Sequence, residues 1–490
     1  MSMRRSFSLP GCSVALTAAF ALGCPSDEPA ATSDGSSSSG DPSTSTDPSA
    51  TMTSTTIADS SSSSGADSSS SGSGVDSSSS SGAAAACGDG TLDDGEECDD
   101  GNTAIDDACT ATCTVPYEIV WQASHNGSAS NFDSAADVLV DADGNSYVLG
   151  RERVTDQASN LWLQQYMADG TEGWTVSFDG TDSLNDSGAG LTMLADGDFV
   201  VVGTTESTMT GDDILILRLD GATQMVEWQV VVDGPGEGPG DNDDADSASD
   251  VAIDADGNIY VSGSIRIGTQ DWDFWLGKYD DAGNELWTAT YAGAAGARDF
   301  TRTVQIDDAG VVWLLGNERQ ANDDDTGIVL AYDADGVALD ADTHEFDHFI
   351  NDMAFDADGN VVVVGSNVPA NTFNDFVTAK YDDTWTELWS VSKDLAGSDD
   401  FPIGLSVGAS GNVYVAGAGQ RVNESFNAVL VAYDADGAPL WGDEWNVMDA
   451  DLDEQFSATA EDASGDLIVV GYETVLGEQS NALVRKYHAL

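Results

Sequence analysis

One short pattern recurs seven times: "DADGNSYVLG", "LADGDFVVVG", "DADGNIYVSG", "DDAGVVWLLG", "DADGNVVVVG", "GASGNVYVAG" and "DASGDLIVVG". Its anchor glycines are Gly144, Gly197, Gly257, Gly310, Gly359, Gly411 and Gly465, spaced 49 to 60 residues apart. Six residues after each anchor stands a second glycine, at 150, 203, 263, 316, 365, 417 and 471. A fixed period of this size means an array of like units that bury their apolar faces only by stacking on one another.

Each unit has the chemistry of strands. Alternating apolar residues such as Val138/Val140 and Val251/Ile253 lead into an Asp-Gly turn, which supplies the positive φ of a tight hairpin. A near-continuous apolar run follows, as expected of a strand covered on both faces. The second glycine is expected to end this strand, where a side chain would not fit. A third strand closes on an aromatic (Tyr166, Tyr279, Tyr332, Tyr381, Tyr433, Tyr487), with Leu219 as the exception. A fourth carries Trp174, Trp228, Trp287, Trp389 or Trp441, which reads as packing between units. Four strands in about 50 residues is the size of a β-propeller blade. The last unit stops without a Trp strand, and "YEIVWQA" before the first unit supplies one with Trp121. Pairing the two ends would close the ring and hide both sheet edges. The fold class is therefore all-β, a seven-bladed propeller over 116–490 closed by an N-terminal strand.

The units resemble the bacterial seven-bladed propeller repeats of the SBBP type, through "GNIYVSG" and "LGKYDDAGNELW". That resemblance implies the fold and an exported location, and no reaction.

Upstream the chain changes character. Arg4 and Arg5 precede the mainly apolar run 14–22, and "ALGC" follows. This looks like a bacterial lipobox, giving a signal peptide over 1–23 and lipid on Cys24; an ordinary cleaved signal is the alternative. Residues 24–86 are mainly Ser, Gly, Asp, Thr and Ala. They cannot bury a core, and are expected to form a disordered stalk with an end-to-end distance of roughly 45 Å. Cys87, Cys98, Cys109 and Cys113 lie together in a small module, 87–115. An even set in an exported segment reads as two disulfides of undetermined pairing, with zinc as the rival. The stretch resembles a disulfide-rich repeat of myxobacterial surface proteins ("CGDG", "GEECDDGN"), which implies an exported spacer.

The chain holds 15 basic and 87 acidic residues, a formal charge of −72. Such a field disfavours nucleic acid and anionic headgroups and attracts cations. Outside the leader no stretch approaches the roughly 18 apolar residues of a membrane-spanning helix, so membrane attachment would rest on the lipid anchor alone.

Two features invite a metal. "HEFDH" at 344–348 matches the HExxH zinc-hydrolase signature, which needs a helix to bring both histidines together. The interval admits only a strand and a loop, where residues four apart lie about 13 Å from one another; the match is read as chance. Eleven residues before each anchor stand Asp133, Asp186, Asp246, Asp299, His348, Asp400 and Glu454, expected at one mouth of the central channel. They read as turn caps, or as a ring binding calcium, the one candidate cofactor. The "DADG" turns lack the spacing of a calcium loop. No nucleophile–base pair stands out. The functional expectation is an exported module, lipid-anchored to the outer membrane or cell surface, binding a protein or glycan. The alternative is a lyase or hydrolase working at the channel mouth.

Overall fold

A computed structural model describes residues 117–489 except 130, 236–244, 268–271, 322–323, 340–342, 368–373, 395–398, 421–424, 446–451 and 478. Cys24, Cys87, Cys98, Cys109 and Cys113, the signal and the tether lie outside the described residues. The described chain is all strand, with no helix, in seven antiparallel four-stranded sheets. Six sheets take four consecutive strands each; the seventh joins β26 (Gln455–Glu461), β27 (Leu467–Thr474) and β28 (Ser480–Ala489) to β1 (Tyr117–His125). Trp121 pairs with Lys486 across that closure. The first strands of the sheets are β2 (Ser134–Val140), β6 (Asp186–Met193), β10 (Ser247–Ile253), β14 (Asp299–Ile306), β18 (Phe349–Phe355), β22 (Asp400–Val407) and β26. Each touches the next around a full circle. They form the wall of the central channel of a seven-bladed propeller.

The turn chemistry follows the expectation. Gly144, Gly257 and Gly359 have φ of 80°, 84° and 82°. In the first unit, the Asp141 carboxylate accepts the backbone N–H groups of Asp143 and Asn145, both at 2.9 Å. The second glycine differs from the expectation: it does not end its strand. Gly150 lies inside β3 (Ser146–Arg153), opposite a bulge between Ala135 and Asp137. The bulge pushes the Ser134 carbonyl to 2.0 Å from where a Cβ would stand. The same clash recurs at Gly203 and Gly471 (1.9 Å each), so the glycine is required by the bulge rather than by a strand end.

Blades lock together through the Trp series. The indoles of Trp121, Trp228, Trp287 and Trp389 donate N–H to the carbonyls of Ala168, Asp281, Ala334 and Ala435, each in the next blade's turn. Each ring lies on a turn glycine of positive φ (Gly170, Gly283, Gly336, Gly437), where a Cβ would come within 2.6 to 2.9 Å of the indole. Blade 4 breaks the series. Its outer strand β17 is only His344–Glu345. The blade 5 turn then carries Trp385 at φ 58° in place of glycine, and this ring stacks on His344 at 4.6 Å. The tryptophan has changed sides of the interface. "HEFDH" is thus a strand end and a loop: His344 packs on Trp385, while His348 is bonded to Asp347 at 3.0 Å.

Candidate functional site: the central channel and its mouth

Each innermost strand turns alternate residues inward, because side chains alternate across a strand and one face of this strand meets no other blade layer. The ring positions come first. Asp133, Asp186, Asp246, Asp299, Asp400 and Glu454 are at most 1 % exposed, folded into the blade ends. Asp133 accepts N–H groups from Gly127 (2.9 Å) and Arg153. Asp299 accepts those of Gly293 (2.6 Å) and Arg319 (3.0 Å). Asp186 accepts Gly180 N–H (2.7 Å) and the Thr205 hydroxyl (2.6 Å), and Asp246 accepts Arg266 N–H (2.7 Å). These bonds are those of turn caps that tie the start of the first strand to the end of the second. Burial raises Asp133 and Asp186 above the usual carboxylate range and Asp299 to about 6. Glu454 is pushed to about 8, by burial and then by Asp453 and Glu473. His348 is half-buried.

Two ring residues have acidic company. Asp246 meets Asp213 and Asp233, and Asp400 meets Asp375 and Asp394, with one oxygen from each residue of a trio within 4.8 Å of the others. Both trios use the same repeat positions: the third strand's start, the fourth strand's end and the next blade's ring. They are the places among the described residues where carboxylates could share a cation.

A second tier lies four residues along the wall, and the sequence reading passed over it. Asp137, Asp250 and Asp352 stand on blades 1, 3 and 5, in "DSAAD", "DSASD" and "HFIND". Each reaches across to the next blade. Leu191 N–H donates to Asp137 (2.8 Å), Val304 N–H to Asp250 (3.0 Å) and Leu405 N–H to Asp352 (2.8 Å). At this position blades 2, 4 and 6 carry Gly190, Thr303 and Gly404, small enough to admit the reaching carboxylate or the neighbouring strand. Crowding by protein raises Asp137 to about 7, with the Asp250 charge adding to it. Asp250 rises to about 6 and Asp352 well above the carboxylate range, in both cases first through burial. The spacing of Asp after Asp in alternate units was the available signal; what it meant required the bulge to be seen.

Between the tiers, at the bulge of β14, lies Arg302. Burial lowers it to about 10, still charged at neutral pH, and its guanidinium stands over the Phe349 ring at 5.1 Å. Its Nε is buried with no hydrogen-bond partner.

No family model matches the chain, and no curated protein matches it. Solved structures do. One, from Dyadobacter fermentans and of unknown function, is 10% identical with a TM-score of 0.44, over 76% of this chain and 100% of that one. An ulvan lyase of a new polysaccharide lyase family, solved bound to -[GlcA(1-4)Rha3S]-, is 11% identical with a TM-score of 0.46, over 74% and 95%. A protein of unknown function from Bacteroides caccae is 12% identical with a TM-score of 0.38, over 58% and 89%. At these values nothing about activity follows.

Proposed function

We propose that this chain is an exported binding or scaffold module of the cell envelope, with the propeller carried on a lipid-anchored tether. The leader with "ALGC", the Ser/Gly/Asp-rich stretch after it and the four-cysteine segment support export, as does the likeness to SBBP-type repeats. The observation that carries the binding reading is local. The fold is a repeat, yet the channel wall departs from it at Arg302, His348 and the alternating Asp tier. A ring built only for stability has no need of such departures. His125 stacks on Trp162 (4.1 Å) and bonds Glu152 (2.9 Å), His344 stacks on Trp385, and neither is paired with a nucleophile. Calcium remains the candidate ion, at the two carboxylate trios. Capture of a ligand from envelope extract on the full chain tests the binding reading. Cys24→Ser tests the anchor: the variant should leave the membrane fraction after a salt wash, and retention would place the anchor elsewhere.

A second reading, an enzyme acting at the channel, draws on Asp137 and Asp250. Carboxyls titrating at about 7 and about 6 are suited to donate a proton near neutral pH. Turnover of polysaccharides or esters that is lost in Asp137→Ala would favour it.

A further inference from the structure

We propose that the ring-side mouth of the channel binds an acidic polysaccharide, on an arc of aromatic rings and arginines over blades 3 to 6. This rests on the binding-module reading and names its ligand class. Its basis is a second departure from the repeat. One residue after the ring position, blades 1 to 3 carry Ser134, Ser187 and Ser247, whereas blades 4 to 6 carry Phe300, Phe349 and Phe401. All three phenylalanines are half-buried at the start of an innermost strand. Two further rings extend them: Trp272 lies 5.5 Å from Phe300, and Phe426 lies 5.7 Å from Phe401. Core packing does not require aromatic residues here, since serine fills the same place in blades 1 to 3 and Gln455 fills it in blade 7.

The arginines add the charge. Arg298 stands over Phe300 at 5.5 Å and Arg302 over Phe349 at 5.1 Å. Neither makes a hydrogen bond or a contact ion pair with a described residue, although the Asp325 charge acts on Arg302. That is unusual in a chain with 87 acidic and 15 basic residues. At the opposite, hairpin end the described cations are matched: Arg218 with Asp196 and Asp198, Lys278 with Asp254, Lys380 with Asp356, Lys486 with Asp462. A guanidinium stacked on a ring keeps its in-plane N–H groups free to receive a carboxylate or sulfate ester in a fork. Aromatic rings receive the apolar C–H faces of sugar rings. Rings in series with interleaved arginines therefore suit a polymer of sugars with spaced negative charges. A nucleic acid, with its dense phosphates, would meet the surrounding carboxylates far more often. At about 0.15 M salt, charges beyond roughly 8 Å are screened, so the distant net charge is felt weakly at the arc.

The test is titration calorimetry of the full chain at about 0.15 M salt, with oligogalacturonate, dextran sulfate, neutral dextran and oligo(dT) as probes. The expected result is binding of oligogalacturonate or dextran sulfate, and these two arms separate carboxylate from sulfate ester. Dextran and oligo(dT) should not bind. Arg298→Ala with Arg302→Ala should weaken binding at least tenfold, Phe349→Ala similarly, and Arg302→Lys should restore only part of it. Arg151→Ala, over Phe132 on the far side of the ring, should bind as wild type, and melting curves confirm that each variant is folded. Absence of binding to both acidic polymers, or a double variant that binds as wild type, overturns the proposal. Equal binding of dextran or oligo(dT) also overturns it, while leaving the wider binding-module reading standing; capture of a ligand from envelope extract decides that reading separately.

Discussion

Single carboxylates set how this ring responds to acid. Asp137, Asp250 and Asp352 hold their protons to higher pH in the folded ring than a free aspartate does, near 3.9. A raised folded pKa on an acid means that the folded state binds protons which the unfolded chain releases. The contribution to stability is therefore greatest below the unfolded pKa. It is lost as pH climbs through the folded values, about 6 for Asp250 and about 7 for Asp137. The hairpin carboxylates act oppositely. Asp356 and Asp462 are held low, as hydrogen bonds from Asn360 and Lys486 outweigh partial burial. They contribute stability that is lost as pH falls below the usual carboxylate range. The melting temperature should peak near pH 5 and fall by pH 8. Relief of the net charge acts in the same direction, so the slope alone decides nothing. Asp250→Asn removes one titration and changes the net charge by one in the whole chain. It should flatten the fall between pH 5 and 8, and a slope equal to wild type would assign the effect to bulk repulsion.

Among elements, the closing strand and the blade 4–5 joint are the places where the repeat is completed from elsewhere. Deleting 117–123 uncovers the edge of β28, and the expected result is aggregation with a lower melting temperature; a soluble deletion with unchanged melting would refute closure as a stabilising contact. At the blade 4–5 joint one indole fills the space that four other joints fill from the opposite side. Trp385→Gly should restore the favoured turn residue yet leave the space under His344 empty. The cavity should outweigh the relief of positive φ, with a net loss of about 2 kcal/mol in denaturant unfolding. The closing strand was legible because Trp121 and the truncated last unit are both visible as text. Trp385 was not, because its role depends on a tryptophan that the neighbouring blade lacks. The same holds for the glycine six after each anchor: its recurrence was plain, but its cause, a carbonyl pushed forward by a bulge on the facing strand, is a property of the pair. The ring residues were found by register alone. Their burial against backbone N–H groups, and the Asp tier four residues further on, needed the strands to be placed.

Across the whole molecule, the acidic groups that could answer to calcium are narrower than a ring of seven. Asp133, Asp186 and Asp299 each already accept two hydrogen bonds and stand outside the trios, so a cation there would displace bonds worth about as much as it supplies. The two trios differ. Asp213, Asp233 and Asp246 span blades 2 and 3, and Asp375, Asp394 and Asp400 span blades 5 and 6. Three like charges within one coordination sphere repel, and a cation would turn that repulsion into a bridge between blades. Only the closed ring assembles the trios, so binding should stabilise the folded state by about 2.7 kcal/mol at a hundredfold excess over Kd. Three carboxylates leave roughly half of a calcium shell to water, which sets the expected affinity in the weak, millimolar range of extracellular sites. The measurement is thermal melting in calcium against sodium at matched ionic strength. Asp233→Asn with Asp394→Asn is the variant to compare, because those two members are the exposed ones of their trios. The calcium-specific rise should disappear and the salt-dependent part should stay. A double variant that still responds to calcium as wild type does would leave the trios without a role in cation binding.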